Sequence, residues 1–106
     1  MADNDEFDNE QIRPYIIACH GPLEDLRPVL ESEPRLLRSC WHWGGGDWES
    51  GMDAAGHMGH PDVARFLMDR GATLHAYAAA SMGLTDVVRS MVEADPKVVN
   101  RRACTA

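Results

Sequence analysis

The sequence predicts an all-α fold, a helical repeat solenoid of about three helix–turn–helix units. The segments 21–38 and 83–100 align without gaps, and both run from a glycine through an acidic residue and an apolar stripe to an acid–Pro–base sequence. The segment 59–74 has the same order of glycine, acidic residue, apolar stripe and breaker. Since no helix of this length is stable alone in water, neighbouring units must share their buried surface.

Each unit is expected to contain a short helix, a turn and a longer helix. Glycine ends the short helix, because it readily takes the left-handed conformation found there. The three turn glycines are Gly21, Gly59 and Gly83. Apolar residues at helical spacing predict the longer helices, as in Val63, Phe66 and Leu67. The expected units are residues 12–38, 39–74 and 75–102.

The N-terminus is strongly acidic within a chain of net charge −7. Its acidic residues are Asp3, Asp5, Glu6, Asp8 and Glu10. A short acidic lead of this kind predicts a disordered, solvated tail over residues 1–11, with docking on a basic patch of a partner as the alternative. An acidic surface repels phosphate backbones, so nucleic acid is not expected as a partner.

Composition and cysteine usage indicate a cytoplasmic protein without a membrane partner. No apolar run approaches the roughly 20 residues that cross a bilayer. The first residues lack the positive end and apolar stretch of a secretory signal. The cysteines Cys19, Cys40 and Cys104 are odd in number and form no CxxC pair, which favours free thiols over a disulfide framework or a structural zinc site.

The stretch AAGHMGHPDVARFLMDRGA at 54–72 resembles the ankyrin repeat, whose core reads A-A-x-x-G-H-x-x-V-x-x-L-L-x-x-G-A. Ala55 and Gly56 match the small pair of this pattern, and Gly59 and His60 match its turn. The segment 48–53 matches the opening of the family's repeat only in part. The third unit lacks that opening, so the finger loop before this unit is expected to be deleted.

The resemblance covers residues 12–100 and is strongest in 54–72 and 79–94. It implies an ankyrin-type solenoid that binds another protein through its fingertips and concave groove. Catalysis, a cofactor and a bound metal are not expected from it. The identity of the partner does not follow from the family.

An enlarged finger loop is expected between units one and two, in CWHWGGGDWES at 40–50. In an extended finger, alternation places Trp41 and Trp43 on one side and His42 on the other. Tryptophan is enriched at binding hot spots, which favours a recognition finger. The equal alternative is that the rings fold back and seal the short solenoid.

The expected contact surface has a finger part and a groove part. The finger part consists of Trp41, His42, Trp43, Asp47 and Trp48. By the resemblance, the groove part consists of His57, Met58, Tyr77, Ser81 and Met82, with Cys19 and His20 at its far edge.

Two rival functions use the same residues. His42, His57 and nearby carboxylates such as Asp47 are ligand types that suit zinc or another divalent ion. Alternatively, a small enzyme would pair Cys19 with a groove histidine as nucleophile and base. Repeats stacked about 10 Å apart would keep such groups from direct contact, which argues against catalysis.

The third unit predicts a homodimer through the C-terminal repeat face. Its apolar stripe of Val87, Val88, Met91 and Val92 has no full capping repeat after it, and solenoids need polar caps to stay soluble. Either the residues that follow fold back over this stripe, or two chains bury it together.

Overall fold

Helices make up most of the structure, a computed structural model that describes residues 7–100, with side chains up to Val98. The α-helices are α1 (Asn9–His20), α2 (Leu23–Ser32), α3 (Gly51–Met58), α4 (Pro61–Asp69), α5 (Ala76–Ser81) and α6 (Thr85–Ala94). Short 3₁₀ helices follow α2 at Pro34–Arg38 and α6 at Pro96–Asn100. Strands β1 (Cys40–Gly44) and β2 (Asp47–Ser50) form an antiparallel hairpin, so the expected all-α class is wrong in this respect.

The first helix begins earlier than the sequence analysis expected. Asp8 caps α1 in a reciprocal arrangement, because its Oδ1 accepts from the Gln11 amide at 2.9 Å and its own amide donates to Gln11 Oε1 at 2.9 Å. Phe7 also packs against the core. The predicted tail over 1–11 is therefore too long by its last five residues, and residues 1–6 lie outside the described chain.

The six helices follow one another as three pairs, α1 with α2, α3 with α4 and α5 with α6. The first helices of the pairs form a row, since α3 packs against both α1 and α5. Small residues permit this approach. A Cβ atom added to Gly51 would lie 2.9 Å from Cys19 Sγ, and one added to Gly56 would lie 2.8 Å from Ala78 Cα.

The turn glycines behave as expected in two pairs and differently in the first. Gly59 and Gly83 take positive φ angles of 68° and 74°, and Gly59 caps α3 in the left-handed conformation. Gly21 has φ −101° and ψ −163°, an extended conformation, so the expectation of a left-handed cap is wrong there. Residues 70–75, between α4 and α5, contain no strand, which agrees with the predicted deletion of a finger at this point.

The core lies between the first and second helix pairs. Helix α1 contributes a stripe at spacings of three, four and seven residues, namely Ile12, Tyr15, Ile16 and Cys19. Helix α2 adds Leu26 and Leu30, and α4 adds Val63 and Leu67. The third pair buries far less, because α5 contributes only Ala78 and Ala79 and no residue of α6 is buried.

Two further findings bear on the environment of the chain. Cys40 is disulfide-bonded, so the expectation of free thiols is wrong for this residue, whereas Cys19 is a buried free thiol. Within the described residues, none of the helices combines the length and the apolar character needed to cross a membrane.

Candidate functional site

A tight hairpin presents the tryptophan-rich segment. Its strands pair from Cys40 with Ser50 to Gly44 with Asp47, and Gly45 and Gly46 form the turn between them. Their φ angles are +60° and +82°, and two positive φ values in succession are what a type I′ hairpin turn requires. The register shifts between His42 and Gly44, as in a β-bulge. The triple glycine is thus explained by the turn geometry.

The side chains of β1 alternate between two faces, as the sequence predicts for an extended finger. On one face, the rings of Trp41 and Trp43 meet edge to face, with centroids 4.2 Å apart and an interplanar angle of 78°. On the other face, His42 stacks on Trp48 at 4.4 Å and 9°. His42 Nε2 also accepts a hydrogen bond from the Gly46 amide at 3.2 Å, which holds the turn.

The hairpin is fixed along helix α1. At the start of α1, the Asn9 side chain makes two hydrogen bonds to the backbone of His42, accepting from its N–H at 3.0 Å and donating to its carbonyl at 3.2 Å. One turn later, the Arg13 guanidinium lies 5.7 Å from the centre of the Trp41 ring. These contacts position the finger as a rigid part of the fold.

At the end of α1, His20 and Glu49 connect the hairpin to the helix row. Glu49 Oε1 accepts from Trp43 Nε1 at 2.9 Å, and Glu49 Oε2 lies 3.2 Å from His20 Nε2. His20 Nδ1 lies 2.9 Å from the carbonyl oxygen of Ile16. Both ring nitrogens of His20 therefore face oxygen atoms, one of the Ile16 carbonyl and one of the Glu49 carboxylate. The carboxylate fixes the orientation of the Trp43 indole.

The sequence left open whether the tryptophans form a recognition finger or seal the fold, and the three rings differ in this respect. Trp41 is partly buried against the core, and its Nε1 is buried without a hydrogen-bond partner. Trp48 is half-buried in its stack with His42. Trp43 is 48% exposed. One ring thus seals the structure while another is presented to solvent.

The residues expected to line a groove lie on α3 and α5 or directly after α5. His57 is exposed near the end of α3, and its ring lies 6.3 Å from that of His20, which links α3 to the hairpin cluster. Met58, Tyr77 and Ser81 are exposed, whereas Met82 is partly buried against the core. Tyr77 and Ser81 are four residues apart and share one face of α5. Asp47 is exposed at the hairpin turn.

Cys19 is not exposed, so its expected place in the contact surface is wrong. It is fully buried on the apolar stripe of α1, where it hydrogen-bonds with Tyr15. Burial raises the pKa of the Cys19 thiol to about 12, and the negative charge of Glu49 adds to this effect, against the lowering effect of the Tyr15 hydrogen bond. Burial also raises the pKa of Tyr15 well above its usual value. Cys19 is thus held as an unreactive thiol.

The residues proposed for a metal site are not brought together. His42 stacks on Trp48 on one face of the hairpin. The ring of His57 instead lies near that of His20, which contacts Trp43 on the other face. In the part of the chain that the structure describes, no group of three or more His, Cys, Asp or Glu side chains is arranged to hold a metal ion. A buried Cys19 with a raised pKa also lacks the thiolate character of a nucleophile.

Three residues of the site were missed by the sequence analysis as contact partners, namely Asn9, Arg13 and Glu49. Glu49 had a usable signal, because it lies directly across from Trp41 in the hairpin and shares its face. Asn9 and Arg13 contact the hairpin only because the hairpin lies along α1, and no local sequence pattern predicts this arrangement. No protein family, curated protein or solved structure was found to match the chain.

Proposed function

We propose that this chain is a protein-binding module built from about three ankyrin-type repeats. Its recognition surface would combine the hairpin finger with the groove along α1, α3 and α5. The observation that carries the proposal is the state of Trp43, whose indole is half-exposed yet fixed by Glu49 and Trp41. A large aromatic ring held in place at the surface loses little conformational freedom on binding, which is typical of interface hot spots.

The repeat architecture is supported by two independent features. The helix pairs succeed one another with their first helices in a row, and the hairpin precedes the second pair. The sequence resemblance to the ankyrin repeat is strongest in this second pair, at residues 54–72. The resemblance implies a concave binding surface beside the finger, and Tyr77 and Met58, which it assigns to that surface, are exposed.

Binding is favoured over catalysis because the ionisable and nucleophilic side chains make contacts that stabilise the fold. Glu49 and His20 hold the finger against α1. His42 holds the hairpin turn. The thiol of Cys19 packs in the core with a raised pKa. These groups keep the aromatic surface rigid, which a recognition module requires.

The proposed function predicts that truncating the aromatic surface abolishes partner binding without unfolding the protein. The double variant Trp43→Ala/Tyr77→Ala is expected to lose at least about thirtyfold in affinity, since a hot-spot truncation costs roughly 2 kcal/mol or more. Affinity capture followed by mass spectrometry, with wild type and variant side by side, measures the loss. Met68→Ala is the matched control, because Met68 is 43% exposed on α4 and belongs to neither the hairpin nor the expected groove residues.

The control variant is expected to retain the same captured proteins as wild type. Circular dichroism must show equal helix content for all three proteins. If the double variant captures the same proteins as wild type in the same amounts, the aromatic surface is not the recognition site, and the proposed function fails in this form.

The apolar stripe of α6 supports a homodimer as a second mode of association. No residue of α6 is buried, Val87 is 37% exposed, and Val88, Met91 and Val92 are only partly covered. We expect a monomer–dimer equilibrium at high micromolar concentration, measured by light scattering or analytical ultracentrifugation. Val87→Glu should shift it to monomer, because a charge at a closed apolar interface is unpaired. A wild-type protein that remains monomeric throughout contradicts this association.

A further inference from the structure

Arginine side chains lie over three aromatic rings in the described chain, those of Phe7, Trp41 and Phe66. Arg13 lies 5.7 Å from the Trp41 ring centre, and Arg35 lies 5.5 Å from that of Phe7. Arg27 and Arg70 lie 5.2 and 3.6 Å from the centre of the Phe66 ring. Guanidinium groups bind aromatic faces by cation–π attraction and stacking. This chain thus uses the contact repeatedly for its own packing.

Two exposed aromatic rings lack such a contact. Trp43 is 48% exposed and Tyr77 is 54% exposed, and among residues 7–98 no arginine or lysine lies over either ring. Trp43 is the better placed of the two, because indole is the strongest cation–π acceptor among the side chains. Its orientation is also fixed in advance by the Trp41 edge contact and by the hydrogen bond to Glu49.

Carboxylates stand on the same face of the hairpin as Trp43. Asp47 and Glu49 are two residues apart on β2, so they share one face, and Glu49 pairs across from Trp41. Glu49 Oε1 already accepts from Trp43, and the side chain keeps 15% of its surface exposed. A carboxylate offers about four acceptor sites, so these two contacts leave some of them open.

The surrounding elements carry little positive charge of their own. Arg13 is the one arginine or lysine in α1, the hairpin, α3 and α5, and it is engaged on Trp41. The same elements hold the acidic residues Glu10, Asp47, Glu49 and Asp53, while the whole chain has a net charge of −7. A cation that approaches this surface is therefore attracted rather than repelled.

We propose that the finger binds an arginine side chain on a basic segment of the partner protein, with the guanidinium stacked on Trp43 and its N–H groups donating to Asp47 and Glu49. This inference rests on the proposed function and specifies the chemistry of the partner. Arginine fits better than lysine, because its planar group stacks on indole while its edge donates to carboxylates. In this arrangement Glu49 orients the Trp43 indole and also accepts a hydrogen bond from the bound arginine.

The test uses three short glycine–serine peptides that differ only in their charged positions, which hold arginine, citrulline or lysine. Citrulline has the shape of arginine without its charge. Fluorescence anisotropy of labelled peptides is titrated with the full chain at fixed ionic strength. The arginine peptide is expected to bind saturably, about tenfold or more tightly than the citrulline peptide, with the lysine peptide in between.

Single variants test whether the arginine peptide binds at this site or is attracted only by the overall negative charge of the chain. Trp43→Ala and Glu49→Gln are each expected to weaken the arginine peptide by about tenfold. Glu49→Gln keeps an oxygen that accepts from the Trp43 indole, so it tests the charge more than the positioning. Met68→Ala should leave the affinity unchanged. Equal binding of the arginine and citrulline peptides, or full binding by Trp43→Ala, overturns the inference.

Failure of this inference is distinguishable from failure of the proposed function. If Trp43→Ala/Tyr77→Ala loses its captured partner while no peptide binds wild type, the chain is a binding module for a partner of other chemistry. If the arginine peptide binds through Trp43 but the captured proteins do not change, the site is real and recognition of the captured proteins occurs elsewhere.

Discussion

Replacing Gly56 with valine is expected to lower the free energy of unfolding by about 3 kcal/mol and to release α5 and α6 from the rest of the molecule. A Cβ atom at position 56 would lie 2.8 Å from Ala78 Cα and 2.9 Å from Ala78 Cβ. Because Ala78 Cα is a backbone atom, it cannot rotate away as a side chain does. Helix propensity favours the replacement of glycine by only a few tenths of a kcal/mol, so the steric cost wins.

The damage should be local to the third helix pair. This pair buries only Ala78 and Ala79, and no residue of α6 is buried, so it has little surface with which to compensate. Elements with few buried contacts open at lower free energy than the core. In hydrogen exchange, the amides of α5 and α6 are therefore expected to lose protection first, while those of α1 and α2 keep most of theirs.

Two further variants make the measurement specific. Gly56→Ala adds a single Cβ and gains about 1 kcal/mol in helix propensity, so its net loss should be smaller than that of valine. Ala80→Val places a β-branched residue at an exposed position of α5 and should change stability by less than about 1 kcal/mol. Unchanged protection of α5 in Gly56→Val would mean that α3 and α5 do not approach as closely as described.

Local patterns predicted the elements that depend on local chemistry. Gly59 and Gly83 take the positive φ angles expected of turn glycines, and the sides of β1 follow from the two-residue period of a strand. Gly21 departs from this pattern because it is followed by Pro22, which is itself the N-cap of α2. A residue before proline is driven to extended conformations, so this exception was readable from the sequence.

Contacts between distant segments were not predictable in the same way. Cys19 was assigned to the groove from its place in the resemblance, although its spacing from Ile12, Tyr15 and Ile16 already marks it as a core position. The roles of Asn9 and Glu49 depend on how the hairpin lies along α1, which is a long-range arrangement. The alternation in β1 predicts which rings share a face, but burial of Trp41 and exposure of Trp43 depend on that docking.

Raising the pH from 8 to 11 is expected to lower the free energy of unfolding through the buried pair Tyr15 and Cys19. Burial raises the pKa of Cys19 from 9.0 to about 12 and raises that of Tyr15 well above 10.0. A group with a raised pKa in the folded protein contributes its full stability below the unfolded pKa and loses it as pH rises toward the folded value. The loss for Cys19 therefore begins near pH 9 and approaches about 4 kcal/mol near pH 12, at 1.36 kcal/mol per pKa unit.

The slope of stability against pH identifies the pair, whatever the absolute stability of each variant. Urea unfolding followed by circular dichroism at successive pH values gives this slope. Cys19→Ala removes one buried ionisable group, and its stability should fall less steeply between pH 9 and 11 than that of wild type. Tyr15→Phe should act in the same direction, although it leaves the carbonyl of Leu37 without the hydrogen bond that it now accepts at 2.9 Å. Parallel curves for wild type and Cys19→Ala would show that the thiol ionises as easily in the folded chain as in the unfolded one, and the described packing of α1 against Gly51 would then be wrong.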